Sequence, residues 1–157
     1  MRAAESETEV LDLLAVHERA VGRLYMIYSE MFLEHQGFWL GLAAEEMMHA
    51  ATIEELARSI EPGALDLRRF NPNAVSTSLE YVATRVREAQ TRDLDIVTAL
   101  SVALDLERAI IERKWFEAFR AQSVEVRTAL GGIAADTRRH AQMVTAMWEA
   151  TRRRRNG

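Results

Sequence analysis

Apolar residues recur along this chain at steps of three and four, and nowhere alternate with period two over a long enough run to predict a strand. The first stripe, Leu11, Leu14, Val21, Tyr25, Tyr28 and Phe32, predicts a helix over 6–34, with Ser6-Glu7-Thr8-Glu9 in the form of a capping box. A second stripe, Trp39, Leu42, Ile53, Leu56 and Ile60, begins after the His35-Gln36-Gly37 turn and ends at Glu61-Pro62-Gly63. Residues 64–76 read as an irregular linker holding Pro72, and Thr77-Ser78-Leu79-Glu80 can cap a short helix that ends near Gln90. The third long helix is predicted over 93–122, with Ile96, Leu100, Leu104, Ile110 and Ile111 on one face. Ser123 can cap a fourth, which turns Val126, Leu130, Ile133, Met143, Val144 and Met147 inward and frays into the arginines at 152–155.

Loop lengths then set the topology. Short turns at 35–37 and near 123 imply two antiparallel helix hairpins. The stretch 61–92 is long enough to travel back along the bundle, about 40 Å for a helix of roughly 27 residues. The expected fold is all-α: one domain over 1–157, a four-helix bundle whose long crossover at 61–92 contains a short helix, with a basic tail at 152–157.

Polar residues break these stripes at four places. Glu18 interrupts the first. Glu46 and His49, three residues apart and so on one helix face, interrupt the second. Glu107 interrupts the third, and Asp136 with His140 the fourth. Buried carboxylates and imidazoles are costly unless something satisfies them. A single core histidine is more often satisfied by ordinary hydrogen bonds than by a metal. Six such residues converging from four helices point to a metal site inside the bundle. The halves also echo each other, with Glu18 and Glu107 89 residues apart and His49 and His140 91 apart, as an internal duplication about a pseudo-two-fold axis would produce.

The order Glu18, Glu46-x-x-His49, Glu107, His140 resembles the ferritin-like di-iron carboxylate proteins, in which two helices each give a Glu and two each give Glu-x-x-His. Segments 42–50 and 99–107, and Glu18 followed seven residues later by Tyr25, look most like the rubrerythrin branch, over nearly the whole chain. The resemblance implies a two-metal centre that reduces hydrogen peroxide or dioxygen, held by Glu18, Glu46, His49, Glu107 and His140. The fourth helix departs from the pattern. Thr137 stands where the family has Glu, and Asp136 is one residue early, about 100° around the helix, as a candidate substitute ligand. Gly131-Gly132 is a candidate kink that would re-aim it. Tyr25 is either a core aromatic or a group that hydrogen-bonds a ligand or a redox intermediate. Met47, Met48, Met143 and Met147 read as packing residues, and His17 and His35 as exposed.

Four carboxylates match the charge of two divalent ions. Oxygen-rich ligation with two imidazoles suits iron or manganese, with zinc also able to occupy such a site. The chain has no cysteine, which excludes disulfides, iron–sulfur clusters and a four-thiolate iron centre within it. Electrons would therefore come from a separate donor protein. The net charge of −4 gives no reason to expect a nucleic-acid surface. No transmembrane or signal segment is visible, and the expected location is the cytoplasm. Family members commonly pair, and Phe38, Phe119 and Trp148 lie off the ligand stripes, so a homodimer is expected. Three classes stay open: a peroxidase or oxidase, a metal-handling bundle without turnover, and a metal-free interaction protein.

Overall fold

The computed structural model describes residues 2–113, 115, 116, 120, 121 and 123–157, with side chains from residue 7 onward except at 120 and 121. Phe119 and Lys114 lie outside the described residues. The chain is a helical bundle: α1 Arg2–Met31, a 3-10 turn at Leu33–His35, α2 Gln36–Ser59, α3 Pro72–Thr91, α4 Ile96–Arg113 and α5 Val124–Asn156. No described helix is long and apolar enough to cross a membrane.

Side-chain contacts fix the directions. Ser29 meets Gln36 and Arg19 meets Glu54, so α1 and α2 are antiparallel. Asp95 meets Arg155 and Ser101 meets Trp148, so α4 and α5 are antiparallel as well. His49 faces Asp136 while Glu45 faces Arg139, which sets α5 antiparallel to α2. Consequently α2 and α4 point the same way, and the chain between them carries α3, which packs against α1.

Several boundaries differ from the sequence reading. α1 starts at Arg2 rather than at Ser6, and the Glu7 carboxylate accepts the backbone N–H of Gly63 at 2.9 Å. α3 begins at Pro72, not near Thr77: Asn71 caps it through its side chain, and proline at the first helical position gives up an N–H with no helical partner anyway. α4 stops at Arg113, short of 122. Trp115 and Phe116, just beyond its end, are both buried. Two-residue strands, β1 Leu65–Asp66 and β2 Arg120–Ala121, pair antiparallel and clip the connection after α2 to the one before α5. Ser123 caps α5 as expected. α5 runs unbroken through Gly131 and Gly132 and through the arginines. There Arg155 pairs with Asp95 and the Arg152 guanidinium lies over the Trp148 ring at 4.5 Å, cations that suit a helix C-terminus.

His17 is fully buried, contrary to the expected exposure, because α3 and Trp115 cover that side of α1. Its Nε2 lies 2.7 Å from the Ser78 hydroxyl, and its ring stands perpendicular to Trp115 at 4.8 Å. Burial lowers its pKa to about 4. His35 is half-buried, while Met48 and Met143 face solvent rather than pack.

The apolar core is in two parts. One gathers Leu11, Leu14, Ile53, Val75, Ile110, Trp115 and Leu130 with their neighbours. The other gathers Leu24, Tyr25, Tyr28, Trp39, Leu42, Leu100 and Val144 with theirs. Between them, at the same height on four helices, lies a polar layer.

Candidate metal centre

Each helix delivers its polar residue to that layer by register alone. Glu18 sits between Leu14 and Val21 on the buried stripe of α1. Glu46 and His49 sit between Leu42 and Ile53 on α2, Glu107 between Ala103 and Ile110 on α4, and His140 between Ile133 and Val144 on α5. These five residues are at most 5% exposed. They form two groups whose ligand-type atoms lie within 4.8 Å of one another: Glu18, Glu46 and His49, and Glu46, Glu107 and His140. Glu46 belongs to both.

Both imidazoles aim Nδ1 into the layer. His49 Nδ1 is 3.4 Å from Glu18 and 3.4 Å from Glu46, and His140 Nδ1 is 2.9 Å from Glu46 and 3.6 Å from Glu107. The rings stack with centroids 5.8 Å apart. The His49 distances are those of ion pairs without hydrogen-bond alignment. His49 Nδ1, both oxygens of Glu18 and Oε2 of Glu107 have no hydrogen-bond partner. Buried polar atoms left unpaired cost about 1–3 kcal/mol each, more if charged. A divalent cation satisfies such a set, and buried Glu and His at these distances could hold one.

Electrostatics agree. Burial, reinforced by the charge of Glu46, raises the Glu18 pKa to about 8. Burial alone would lower both imidazoles, but the surrounding carboxylates win and raise His49 to about 11 and His140 to about 10. Without a cation, protons on these groups would play the neutralising part that the metal takes over.

Asp136 is placed differently from the other candidates. Its carboxylate bonds Nε2 of His49 at 2.9 Å, the side of the ring facing away from Glu18 and Glu46, and its side chain is 40% exposed. It belongs to neither group. Thr137, by contrast, is buried in the layer, and its hydroxyl donates to the backbone carbonyl of Ile133 at 2.9 Å. Tyr25 donates to Glu107 at 2.8 Å, and burial with the neighbouring carboxylate charge raises its pKa well above the usual tyrosine range.

Two residues of this site escape the stripe pattern, Glu45 and Arg139. Glu45 bonds Nε2 of His140 at 2.6 Å, and Arg139 bridges Glu45 at 2.6 Å and Asp136 at 3.1 Å. A continuous outer chain results: His49, Asp136, Arg139, Glu45, His140. A carboxylate on the far nitrogen fixes ring orientation and leaves Nδ1 to face the centre, the usual arrangement around metal-bound histidines. The signal was present in the internal repeat. The 91-residue offset that relates His49 to His140 also relates Glu45 to Asp136, and Glu46 to Thr137. The outer carboxylates keep the two-fold pattern. The inner one keeps it only at Glu46.

Gly22 lets this layer close. One turn after Glu18, it faces α2 so tightly that an added Cβ would lie 3.2 Å from the Glu46 Cβ, 3.0 Å from Met47 Cε and 3.4 Å from the Ala43 carbonyl oxygen.

Comparison with known proteins adds no assignment: no family model matches this chain, and neither a curated protein nor a solved structure does.

Proposed function

We propose that this chain is a ferritin-like, rubrerythrin-like two-metal protein that reduces hydrogen peroxide or dioxygen with electrons from a separate donor protein. The observation carrying the reading is the pair of buried ligand groups sharing Glu46, each with an imidazole whose far nitrogen is held by a carboxylate. The parallel course of α2 and α4, with α3 between them in sequence, fits the long crossover of that architecture.

Glu18 and His49 would hold one ion, Glu107 and His140 the other, and Glu46 would reach both. Two ions, iron by the donor set, would supply the electrons and the Lewis acidity of the reaction. The remaining work belongs to the chain. The apolar clusters on either side keep bulk water from the layer. Arg139 pins the two outer carboxylates and through them the ring planes. Tyr25 holds Oε1 of Glu107 and offers a proton at its phenolic oxygen.

A second reading is favoured by Thr137. With threonine where the repeat would put a second Glu46, the centre has three inner carboxylates rather than four, and suits a metal-handling bundle without turnover. Anaerobic loading with ferrous iron followed by peroxide separates the two. Catalytic consumption in the presence of a one-electron donor supports the enzyme. A single stoichiometric oxidation with no turnover supports the second reading.

A further inference from the structure

Two depressions lie on the seam between α4 and α5, and they meet. The outer one is a groove of about 550 Å³ that ends at Ile111 and Arg138, with Gln142 and Thr145 along its α5 side. The inner one is far smaller: its 10 Å³ is room for about one water molecule. Ile111 and Arg138 line both, so the narrow cavity opens from the end of the wide groove. Behind that mouth the walls are the buried side chains of Ile110, Trp115, Phe116 and Ala134, and mostly hydrocarbon walls hold a passing molecule weakly. The cavity also reaches Thr137. Thr137 lies one helical turn from His140, as Ile110 lies one turn from Glu107, so the cavity borders the polar layer at that ligand group. Small voids are ordinary in packed cores. This one faces solvent on one side and the layer on the other, and it touches the position where the repeat has threonine instead of a second Glu46. A glutamate there would be longer and charged. The Thr137 hydroxyl turns back to the Ile133 carbonyl at 2.9 Å instead. Between α2 and α5 the layer also nears solvent, but Asp136, Arg139 and Glu45 stand across it and cover the far nitrogen of each ring.

We propose that the α4–α5 seam is the substrate entry of the buried centre, and that Ile111 at its mouth and Thr137 at its inner end make it selective for the smallest oxidants. Hydrogen peroxide and dioxygen, which travel end-on through an opening one water wide, are admitted. Organic hydroperoxides are turned away at the mouth. The inference rests on the redox reading above and narrows its substrate class. In the groove, Gln142 and Thr145 offer hydrogen bonds to an arriving peroxide before it gives them up to enter the apolar passage.

Two experiments test the entry separately from the redox reading. In the first, anaerobic ferrous-loaded protein is mixed with hydrogen peroxide or with tert-butyl hydroperoxide. Each peroxide takes one electron from each of two ferrous ions and two protons from solvent, giving two waters or the alcohol and one water. The parent should favour hydrogen peroxide by roughly 10–200-fold beyond the preference of free ferrous ion in solution. Ile111→Ala, at the half-buried mouth, should shrink that margin by speeding only the larger oxidant. No margin over free ferrous ion, or one that Ile111→Ala leaves unchanged, would overturn the entry while leaving the redox reading intact. If neither peroxide oxidises the iron, the redox reading fails and the second experiment decides whether the passage exists. A Trp39→Phe, Trp148→Phe background leaves Trp115, which lines the cavity, as the sole tryptophan of the metal-free protein. Dissolved dioxygen should quench its fluorescence and acrylamide hardly at all. Ile111→Ala should admit acrylamide, and Ile111→Phe should slow quenching by dioxygen. Quenching that neither substitution alters would refute the passage.

Discussion

Replacing Gly22 by alanine sets two opposing effects of known size against each other. Glycine in the middle of a helix costs about 1 kcal/mol relative to alanine, so Gly22→Ala should stabilise α1 by that amount if space allows. Space is short. The new methyl would stand 3.0 Å from Met47 Cε, which can swing away, but 3.2 Å from the Cβ of Glu46, which moves only with α2. Relief requires a shift of a few tenths of an ångström at Glu46, and overpacking of that kind costs about 1–3 kcal/mol. The net expectation runs from no change to a loss of about 2 kcal/mol. Metal affinity should suffer more, because ligand distances tolerate only about ±0.2 Å and Glu46 serves both groups. A fall of roughly 10–100-fold, the usual cost of disturbing a ligand's support, is expected. Gly41→Ala is the control: a Cβ there meets nothing, so it should gain close to 1 kcal/mol and bind metal normally. Chemical denaturation and competition against a chromophoric chelator read the two quantities. If Gly22→Ala behaves like Gly41→Ala in both, the tight approach of α1 to Glu46 is not what shapes the site.

Thr137→Glu would supply the inner carboxylate missing from the repeat and should raise bound metal toward two ions per chain, measured by elemental analysis; no increase would mean that Thr137 is not the vacancy the repeat implies. His17 gives a pH signature. Its folded pKa of about 4 lies below the ordinary 6.5, so the neutral ring's contribution is complete above that value and lost as pH falls toward 4. The loss is ~3 kcal/mol, and His17→Gln should remove it, narrowing the stability difference from the parent as the solution is acidified; a constant difference across this range would contradict the buried neutral ring. The expected homodimer is checked by light scattering, where a mass near 17.8 kDa at micromolar concentrations and above would count against it.

Much of this architecture could be read from periodicity. The stripes of α1, α2, α4 and α5 each continue above and below one polar break, and those breaks, Glu18, Glu46, His49, Glu107 and His140, are the residues that the fold brings together. What periodicity could not show lay off the stripes. Glu45 and Asp136 are helix-shoulder residues of a kind normally solvated, and only the facing helix reveals that each reaches the far nitrogen of an imidazole. His17 looked exposed because nothing in the sequence says that α3 lies along α1. The sequence pattern puts Pro72 in an irregular linker, whereas after Asn71 it marks a first helical turn. The end of α4 at Arg113 carries no sequence signal, since neither Gly nor Pro occurs between it and Ser123.

One buried cluster, organised around Glu46, is proposed to hold metal. Elemental analysis of protein purified without chelators, beside a Glu46→Ala, His49→Ala double variant, tests it most directly. Divalent metal is expected in the parent and its loss from a variant that still folds, as circular dichroism would show. Unchanged metal content in the variant, or a parent that binds none when offered ferrous, manganous or zinc ions, would contradict it.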